Sequence, residues 1–397
     1  MLSREKVKDF IIKYYSFFLF SGFYIGLELI LFTGNKSLSR FYTLPVRLVF
    51  PLLMIILVRI NGKFYTNKNT FLIFVLFFYY VLKVLFTENL PHALLSRNWF
   101  EYILYFIIYC LTTFIFFSNV DLKKYLPLII KTIILSGFLL SLCTIYLYKD
   151  ALFSGVGRIS MLKYKSGMEN SDIISPLALA YGAALNLSLL MPYYKLCAKK
   201  TTANKVYFIL NAVLSLMIFA LGSTRGAFLA LILSILFYTA SSKGSKFKYV
   251  ILTILFIPVF LYILNLTGSN LLNRTSNAVE GGDSSGRNTL WEAAINEFVA
   301  NPIFGGRIEV SGIYPHNILL EVAMGMGIIG LIIFLLMMVN TLKEFYKIEF
   351  DYKIFVYIIF INAICQHLFT GALWNSILLF AALGMMNSKL FSSKNGR

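Results

Sequence analysis

The feature that most restricts the fold is a series of apolar runs, each about 17–25 residues long, the length at which a helix crosses the hydrocarbon core of a bilayer. Hydrophobic residues make up 58% of the 397 residues and charged residues only 14%. A soluble domain carries roughly a quarter charged residues. The runs also lack the alternation of apolar and polar positions that the strands of a membrane β-barrel require. The sequence therefore predicts an all-α polytopic membrane protein.

About twelve transmembrane helices are predicted, within a single integral membrane domain covering residues 1–397. The first run is longer than the core of a signal peptide and lacks a small-residue cleavage site, so it is interpreted as a span. The longest interval separates the ninth span from the tenth, which argues against two equal halves. The predicted spans are 14–32, 43–58, 70–87, 99–118, 125–148, 173–194, 206–221, 226–240, 249–267, 317–341, 354–370 and 372–388.

The net charge of +18 is interpreted through the sides of the membrane on which lysine and arginine lie, rather than as a sign of nucleic-acid binding. With the N-terminus inside, the inner segments carry roughly twice as many basic residues as the outer ones. The positive-inside rule therefore predicts that both termini are cytoplasmic. It places two long loops outside, at 149–172 and 268–316.

The four cysteines indicate neither a disulfide framework nor a metal site. Cys110, Cys143 and Cys365 fall inside predicted spans, and Cys197 falls in a predicted cytoplasmic loop. No other cluster of metal-ligand residues is evident, so no metal is expected.

The outer turn between the seventh and eighth spans reads Gly222-Ser223-Thr224-Arg225-Gly226. The glycines permit a tight turn, and either hydroxyl residue can cap the next helix. Free backbone N–H groups, a helix dipole and one guanidinium suit an anion, above all a phosphate. The alternative is that Arg225 extends to lipid headgroups, and the two interpretations stay open.

The long outer loop at 268–316 holds a predicted amphipathic helix at about 287–300. Arg287 lies in the first turn of this helix, which ends near Asn301-Pro302. The helix suits the membrane interface, and a lid with an incidental basic residue is the alternative. Its apolar face comprises Leu290, Trp291, Ala294, Ile295 and Phe298.

The loop ends in Tyr314-Pro315-His316-Asn317, where the tenth span begins. The positive end of the helix dipole disfavours an imidazolium, so His316 is expected to be neutral at pH 7 and able to accept a proton. A purely structural histidine is the alternative. The glycines that follow, Gly325, Gly327 and Gly330, are interpreted as sites of close helix packing.

These residues together resemble the bacterial O-antigen polymerase and ligase family. The resemblance is carried by Gly222 to Gly226, by Gly286-Arg287 with Leu290-Trp291 and Asn301-Pro302, and by His316-Asn317 with Gly327 and Gly330. The motifs cover about 222–330. The resemblance implies a GT-C-type glycosyltransferase in the bacterial inner membrane, with a periplasmic site that uses no metal and no other cofactor.

Site roles are implied by the same resemblance. Arg225 and Arg287 would bind the diphosphate of the donor, and His316 would activate the hydroxyl group of the acceptor. Supporting positions would be Arg158, Arg307, Asn317 and Glu321.

The implied donor is an oligosaccharide linked to undecaprenyl diphosphate, and the acceptor is a glycan. Membrane lipids surround the protein, and a chain-length regulator and a flippase of the same pathway are further expected partners. A polymerase, which extends a lipid-linked repeat unit, is the preferred prediction. A ligase, which transfers the glycan to lipid A-core, is the alternative, and a glycolipid flippase or other transporter belongs to a different class that stays open.

Overall fold

A computed structural model describes residues 3–33, 38–90, 94–149, 175–241, 258, 260–269, 271–273, 276 and 287–388. In these residues the regular elements are helical, apart from an isolated β-bridge between Val310 and Ile313. The α-helices are α1 (Arg4–Leu19), α2 (Gly22–Phe32), α3 (Leu38–Asn61), α4 (Lys68–Glu88), α5 (Trp99–Tyr105), α6 (Thr112–Ser118), α7 (Leu122–Leu147), α8 (Pro176–Leu196), α9 (Thr202–Gly222), α10 (Arg225–Ser241), α11 (Arg287–Ala300), α12 (Ile318–Tyr346), α13 (Lys353–Phe369) and α14 (Ile377–Met386). A π-helix, Phe106–Leu111, joins α5 to α6, and a 3-10 helix, Leu373–Asn375, precedes α14.

Seven candidate membrane spans are present in the described residues, judged by length and hydropathy. They are α3, α4, the continuous stretch Trp99–Ser118, α7, α8, α9 and α12. The run predicted as the first span is bent by 60° between α1 and α2, and the pair would make an eighth. Helices α10, α13 and α14 are apolar but only 10–17 residues long, shorter than the seven candidate spans, and about half of the predicted ninth span lies outside the described residues. The full count of twelve stays a prediction.

The outward faces of the long helices are apolar, as lipid contact requires. Helix α3 exposes Leu44, Leu48, Leu52 and Ile55, at spacings of three and four residues that mark one helical face. In a soluble protein such a stripe would be buried against a neighbour. The chain is a membrane protein on this evidence.

The chain divides into two compact units. The first unit contains Met1–Arg47, Tyr125–Gly282 and Asp351–Cys365. Its apolar core includes Leu179 and Ala184 of α8, Phe219 of α9 and Ala227 of α10. A buried cluster of polar side chains links α8 to α9 in this unit. The Asn186 side-chain amide donates to Asn211 at 2.8 Å and to Ser215 at 2.7 Å.

The second unit contains Leu48–Lys124, Asp283–Phe350 and Gln366–Arg397. In it, α12 packs on α4 and α11, and α14 packs on α6. The π-helix lies against the 3-10 helix, where the Cys110 thiol donates to the Leu373 carbonyl at 3.1 Å. This unit contains Arg287 and His316, whereas Arg225 belongs to the first.

Candidate functional site

His316 lies immediately before the N-cap of α12 and has a left-handed backbone, with φ of 56°. Few residues other than glycine adopt this conformation, so the surroundings must hold it in place. The next residue, Asn317, caps the helix, because its side-chain oxygen accepts from the amides of Leu319 at 3.0 Å and Leu320 at 3.3 Å. Asn317 therefore fixes the start of α12 and, with it, the position of His316.

Three contacts hold the histidine turn from outside α12. The Trp291 indole donates to the Pro315 carbonyl at 2.9 Å. The Tyr314 ring meets the imidazole edge to face, with ring centroids 4.4 Å apart. The imidazole is also hydrogen-bonded to the backbone of Thr370, just after α13. His316 is thus held by α11, by its own loop and by the segment after α13.

The electrostatics of His316 favour the neutral imidazole. Burial lowers the pKa of His316, and the positive charge of Arg287 lowers it further, while the Thr370 hydrogen bond raises it. A backbone bond that favours the charged ring has a carbonyl as its acceptor, so one ring nitrogen carries hydrogen toward Thr370. The other nitrogen of the neutral ring then has a free lone pair and can accept a proton.

Helix α11 places Arg287 at its first residue and Trp291 one turn later, on the same side. The buried and half-buried positions are Arg287, Leu290, Trp291, Ala293, Ala294, Glu297 and Phe298, whereas Ile295 is 48% exposed. One side of α11 therefore packs on the rest of the second unit. Through the hydrogen bond from Trp291 to Pro315, this side connects the first turn of α11, with Arg287, to the turn that carries His316.

Two buried carboxylates lie beside the histidine turn. Glu321 accepts from the Leu373 amide with both oxygens at 3.0 Å. Glu309 accepts from the amide of Ser96 at 2.8 Å and from its hydroxyl at 2.9 Å. Each carboxylate ties a separate loop to the region around Tyr314.

The charges of the two glutamates affect the pKa of the nearby Tyr314 hydroxyl. The pKa of Tyr314 is raised to about 12, mainly by burial and also by the charges of Glu321 and Glu309, while the charge of Arg97 acts in the opposite direction. Glu309 and Arg97 were not predicted as site residues. The sequence signal for Glu309 was an acidic residue in the outer loop between Gly305-Gly306 and Tyr314. Its hydrogen-bond partner Ser96 is 213 positions away, so no local pattern connects the two.

Helix α12 is broken at Gly327, which has φ of 64° and ψ of −164°. The segment after Asn301-Pro302 inserts at this break. The amides of Ile328 and Ile329 donate to the carbonyls of Pro302 and Ile303 at 2.8 and 3.4 Å, and the Gly306 amide donates to Met324 at 2.8 Å. We refer to residues 302–306 and 324–329 together as the splice. The prediction of close packing at Gly327 is confirmed, because a Cβ there would collide with Ile303 and Gly305, but the position also needs a backbone that only glycine adopts readily.

Lys83 of α4 holds the splice from the side, and it was not predicted as important. Its ammonium donates to the Gly305 carbonyl at 2.8 Å and lies 4.2 Å from the centroid of the Phe86 ring. Gly305 has φ of 74°, a left-handed conformation that allows a sharp reversal of the chain at Gly305-Gly306.

The turn at 222–226 differs from the prediction in its geometry. The left-handed residue is Ser223, with φ of 47°, and not a glycine. Gly222 is the last residue of α9, and a Cβ there would collide with Ala180 of α8. The Thr224 hydroxyl donates to the Gly222 carbonyl at 3.0 Å. Arg225 is half-buried as the first residue of α10, and the positive end of a helix dipole favours an anion at such a position.

Two of the remaining predicted site residues are Arg158 and Arg307. Arg158 is outside the described residues, as is the loop from 150 to 172. Arg307 is half-buried, and its main-chain amide donates to the Glu297 carboxylate at 3.0 Å. All four cysteines are free, and no group of histidine, cysteine and acidic residues with metal-binding geometry was found in the part of the chain that the structure describes.

Comparison with known proteins gives one family. Residues 210–335 match the family model described as O-antigen ligase. No curated protein matches the chain. The matched region contains Arg225, Arg287 and His316, together with the whole splice. On this evidence, the resemblance to the O-antigen polymerase and ligase family is confirmed for residues 210–335 of this chain.

Proposed function

We propose that this protein is a glycosyltransferase that moves a glycan from a lipid diphosphate onto a sugar hydroxyl, with polymerisation of lipid-linked repeat units as its reaction. The observation that carries the proposal is the placement of His316, whose ring is oriented by the Thr370 backbone and whose pKa is lowered by burial and by the charge of Arg287. A base and a cation side by side serve a reaction in which a hydroxyl loses a proton and an anionic group leaves.

In the proposed step, the acceptor oxygen bonds to the anomeric carbon while the bond from that carbon to the diphosphate oxygen breaks. His316 takes the hydroxyl proton on its free ring nitrogen, and the lipid diphosphate leaves with the bonding electrons. The hydrogen bond to Thr370 fixes which nitrogen is available, and the contact from Trp291 to Pro315 fixes the ring relative to α11. The proton is later released to solvent.

Arg287 and Arg225 are proposed as ligands of the donor diphosphate. A guanidinium holds two phosphate oxygens at once, which a lysine ammonium cannot do. Arg287→Lys and Arg225→Lys should therefore each lower the transfer rate by about 30- to 1000-fold although the charge is kept. Near wild-type rates in both variants, at matched expression, would reassign these arginines as lipid contacts.

Ligation to lipid A-core is the second candidate, because the matched family model is described as O-antigen ligase. Purified protein supplied with undecaprenyl-diphosphate-linked repeats separates the two. Growth of lipid-linked chains supports the polymerase, and transfer only when lipid A-core is added supports the ligase. If neither product forms, transport or scaffolding remains as the function and the proposal is refuted.

Other parts of the proposal rest on the family resemblance. They are the GT-C-type architecture with twelve spans, the bacterial inner membrane with cytoplasmic termini, and a periplasmic site without metal or other cofactor. A chain-length regulator and a flippase are the proposed protein partners.

The base role of His316 is tested with two substitutions. His316→Ala should abolish transfer while donor binding persists, because that binding is assigned to the arginines. His316→Asn keeps a polar side chain of similar reach but cannot take a proton at pH 7. An asparagine variant within a few-fold of the wild-type rate, at matched membrane levels, would reject the base and leave a structural histidine.

A further inference from the structure

A ladder of aromatic rings lies beside the histidine turn and is not used in the step described above. Trp374 stacks on Tyr105 with centroids 5.5 Å apart, and Tyr105 stacks on Tyr109 at 5.7 Å. The guanidinium of Arg97 lies over the rings of Trp374 and Tyr105, at 5.2 and 5.6 Å from their centroids. We call Arg97, Tyr105 and Trp374 the aromatic platform.

One polar atom of the platform is left without a protein partner. Trp374 is 8% exposed, and its indole nitrogen has no hydrogen-bond partner among the residues that the structure describes. A buried N–H without an acceptor is costly, so the position calls for an acceptor from a ligand. Interfacial tryptophans that anchor proteins to lipid headgroups are exposed instead, and Trp99, at 42% exposed, fits that description.

The segment after α13 connects the platform to His316. Thr370 bonds to the His316 ring, and Trp374 follows four residues later, so the two positions are at most about 14 Å apart along the chain. Leu373, between them, is fixed at its amide by Glu321 and at its carbonyl by Cys110. The platform is therefore held at short range from the proposed base.

Arg97 approaches the same region from the α4–α5 connection. Its side chain is 42% exposed and pairs with Glu101 at 3.4 Å. Its charge also lowers the pKa of Tyr314, whose ring contacts His316. A partly exposed guanidinium thus lies over the aromatic rings and acts electrostatically on Tyr314, and it can donate to a bound polar group.

We propose that the aromatic platform is a carbohydrate subsite that holds sugar residues of the glycan next to the reacting hydroxyl. An indole N–H and a guanidinium match the hydroxyl oxygens of a sugar, while the apolar rings around them match its C–H groups. The choice of a sugar ligand rests on the proposed function, whereas the platform and its unpartnered N–H do not.

The test measures binding of an oligosaccharide without its lipid diphosphate. The probe is the repeat unit of the source bacterium, released from its lipid by mild acid and fluorescently labelled, and the full-length protein is held in nanodiscs. Trp374→Phe keeps the ring and removes the donor, so binding should weaken about three- to tenfold. Arg97→Gln should weaken binding about tenfold or more. Trp99→Phe is the matched control and should stay within about twofold of the wild type.

Each outcome bears on the platform. Equal affinity in wild type, Trp374→Phe and Arg97→Gln would overturn the subsite, as would a wild type that does not bind the probe. Displacement of the probe by inorganic pyrophosphate would also overturn it, because the platform would then belong to the diphosphate site. If affinity falls in both variants but the wild type transfers no glycan, the subsite stands and the proposed function fails. A Trp374→Phe protein that does not fold leaves Arg97→Gln to decide.

Discussion

Replacing Gly327 by alanine places a methyl group at the break in α12, and we expect this to be among the most damaging single-methyl changes in the second unit. The added Cβ would collide with the Ile303 carbonyl oxygen and the Gly305 amide nitrogen, at distances well below van der Waals contact. The residue also has φ of 64° and ψ of −164°, which an L side chain rarely adopts. The substitution therefore strains the backbone and pushes residues 302–306 out of the break.

The magnitude follows from these two effects. The strained conformation costs about 1–3 kcal/mol. Three main-chain hydrogen bonds of the splice, donated by Gly306, Ile328 and Ile329, contribute about 0.5–1.5 kcal/mol each. If all three bonds are lost, we expect a loss of about 2.5–7.5 kcal/mol in the free energy of unfolding.

Gly325→Ala is the control, because an added Cβ there meets Ile308 only at ordinary contact distance, 3.4 Å. Both variants would be unfolded in mixed micelles, and hydrogen–deuterium exchange would be followed at residues 302–306 and 324–330. Gly327→Ala should lose protection at the Gly306, Ile328 and Ile329 amides, and Gly325→Ala should keep it. If both variants have the same stability and protection, the break does not depend on glycine and the reasoning fails.

Three further predictions concern the histidine turn and the orientation of the chain. Because the pKa of His316 is lowered by burial and by Arg287, the acid limb of the pH profile of kcat/KM should lie below the ordinary histidine range. Arg287→Gln should move this limb to higher pH, and an unmoved limb would contradict the effect of the Arg287 charge on His316. Trp291→Phe removes the hydrogen bond beside His316 and should slow transfer about three- to tenfold at unchanged donor affinity, measured by parallel rate and binding assays. In a cysteine-free background, a membrane-impermeant thiol reagent applied to spheroplasts should label Ser285→Cys and spare Ser242→Cys, and the reverse pattern would reject a periplasmic site.

The parts of the fold that depend on local pattern could be predicted from the sequence. The apolar runs indicate helices of membrane length, and Asn317 before an apolar run indicates a helix start, because both signals act over a few neighbouring residues. The bend between α1 and α2 was missed, since the apolar pattern continues through Phe20 and Ser21 without a proline or a charge.

What the sequence could not provide is mainly long-range. A glycine in an apolar run predicts close packing and helix interruption equally well, and only the docking of residues 302–306 decides for Gly327. Lys83 and Gly305 are 222 positions apart, so no local signal links them. The left-handed backbone of His316 is likewise imposed by contacts with α11 and with the segment after α13.

The break at Gly327 also determines how α12 matches the thickness of a bilayer. The whole helix, Ile318–Tyr346, would rise about 43 Å at 1.5 Å per residue, more than the hydrocarbon core of about 30 Å. The part after the break, Ile328–Tyr346, rises about 28 Å and is long enough by itself. The first half is then released from spanning and can lie at headgroup depth, where Asn317 and Glu321 have polar surroundings. A residue inserted after the break would change the hydrophobic match of α12, whereas one inserted before it would change the depth of His316 relative to the headgroups.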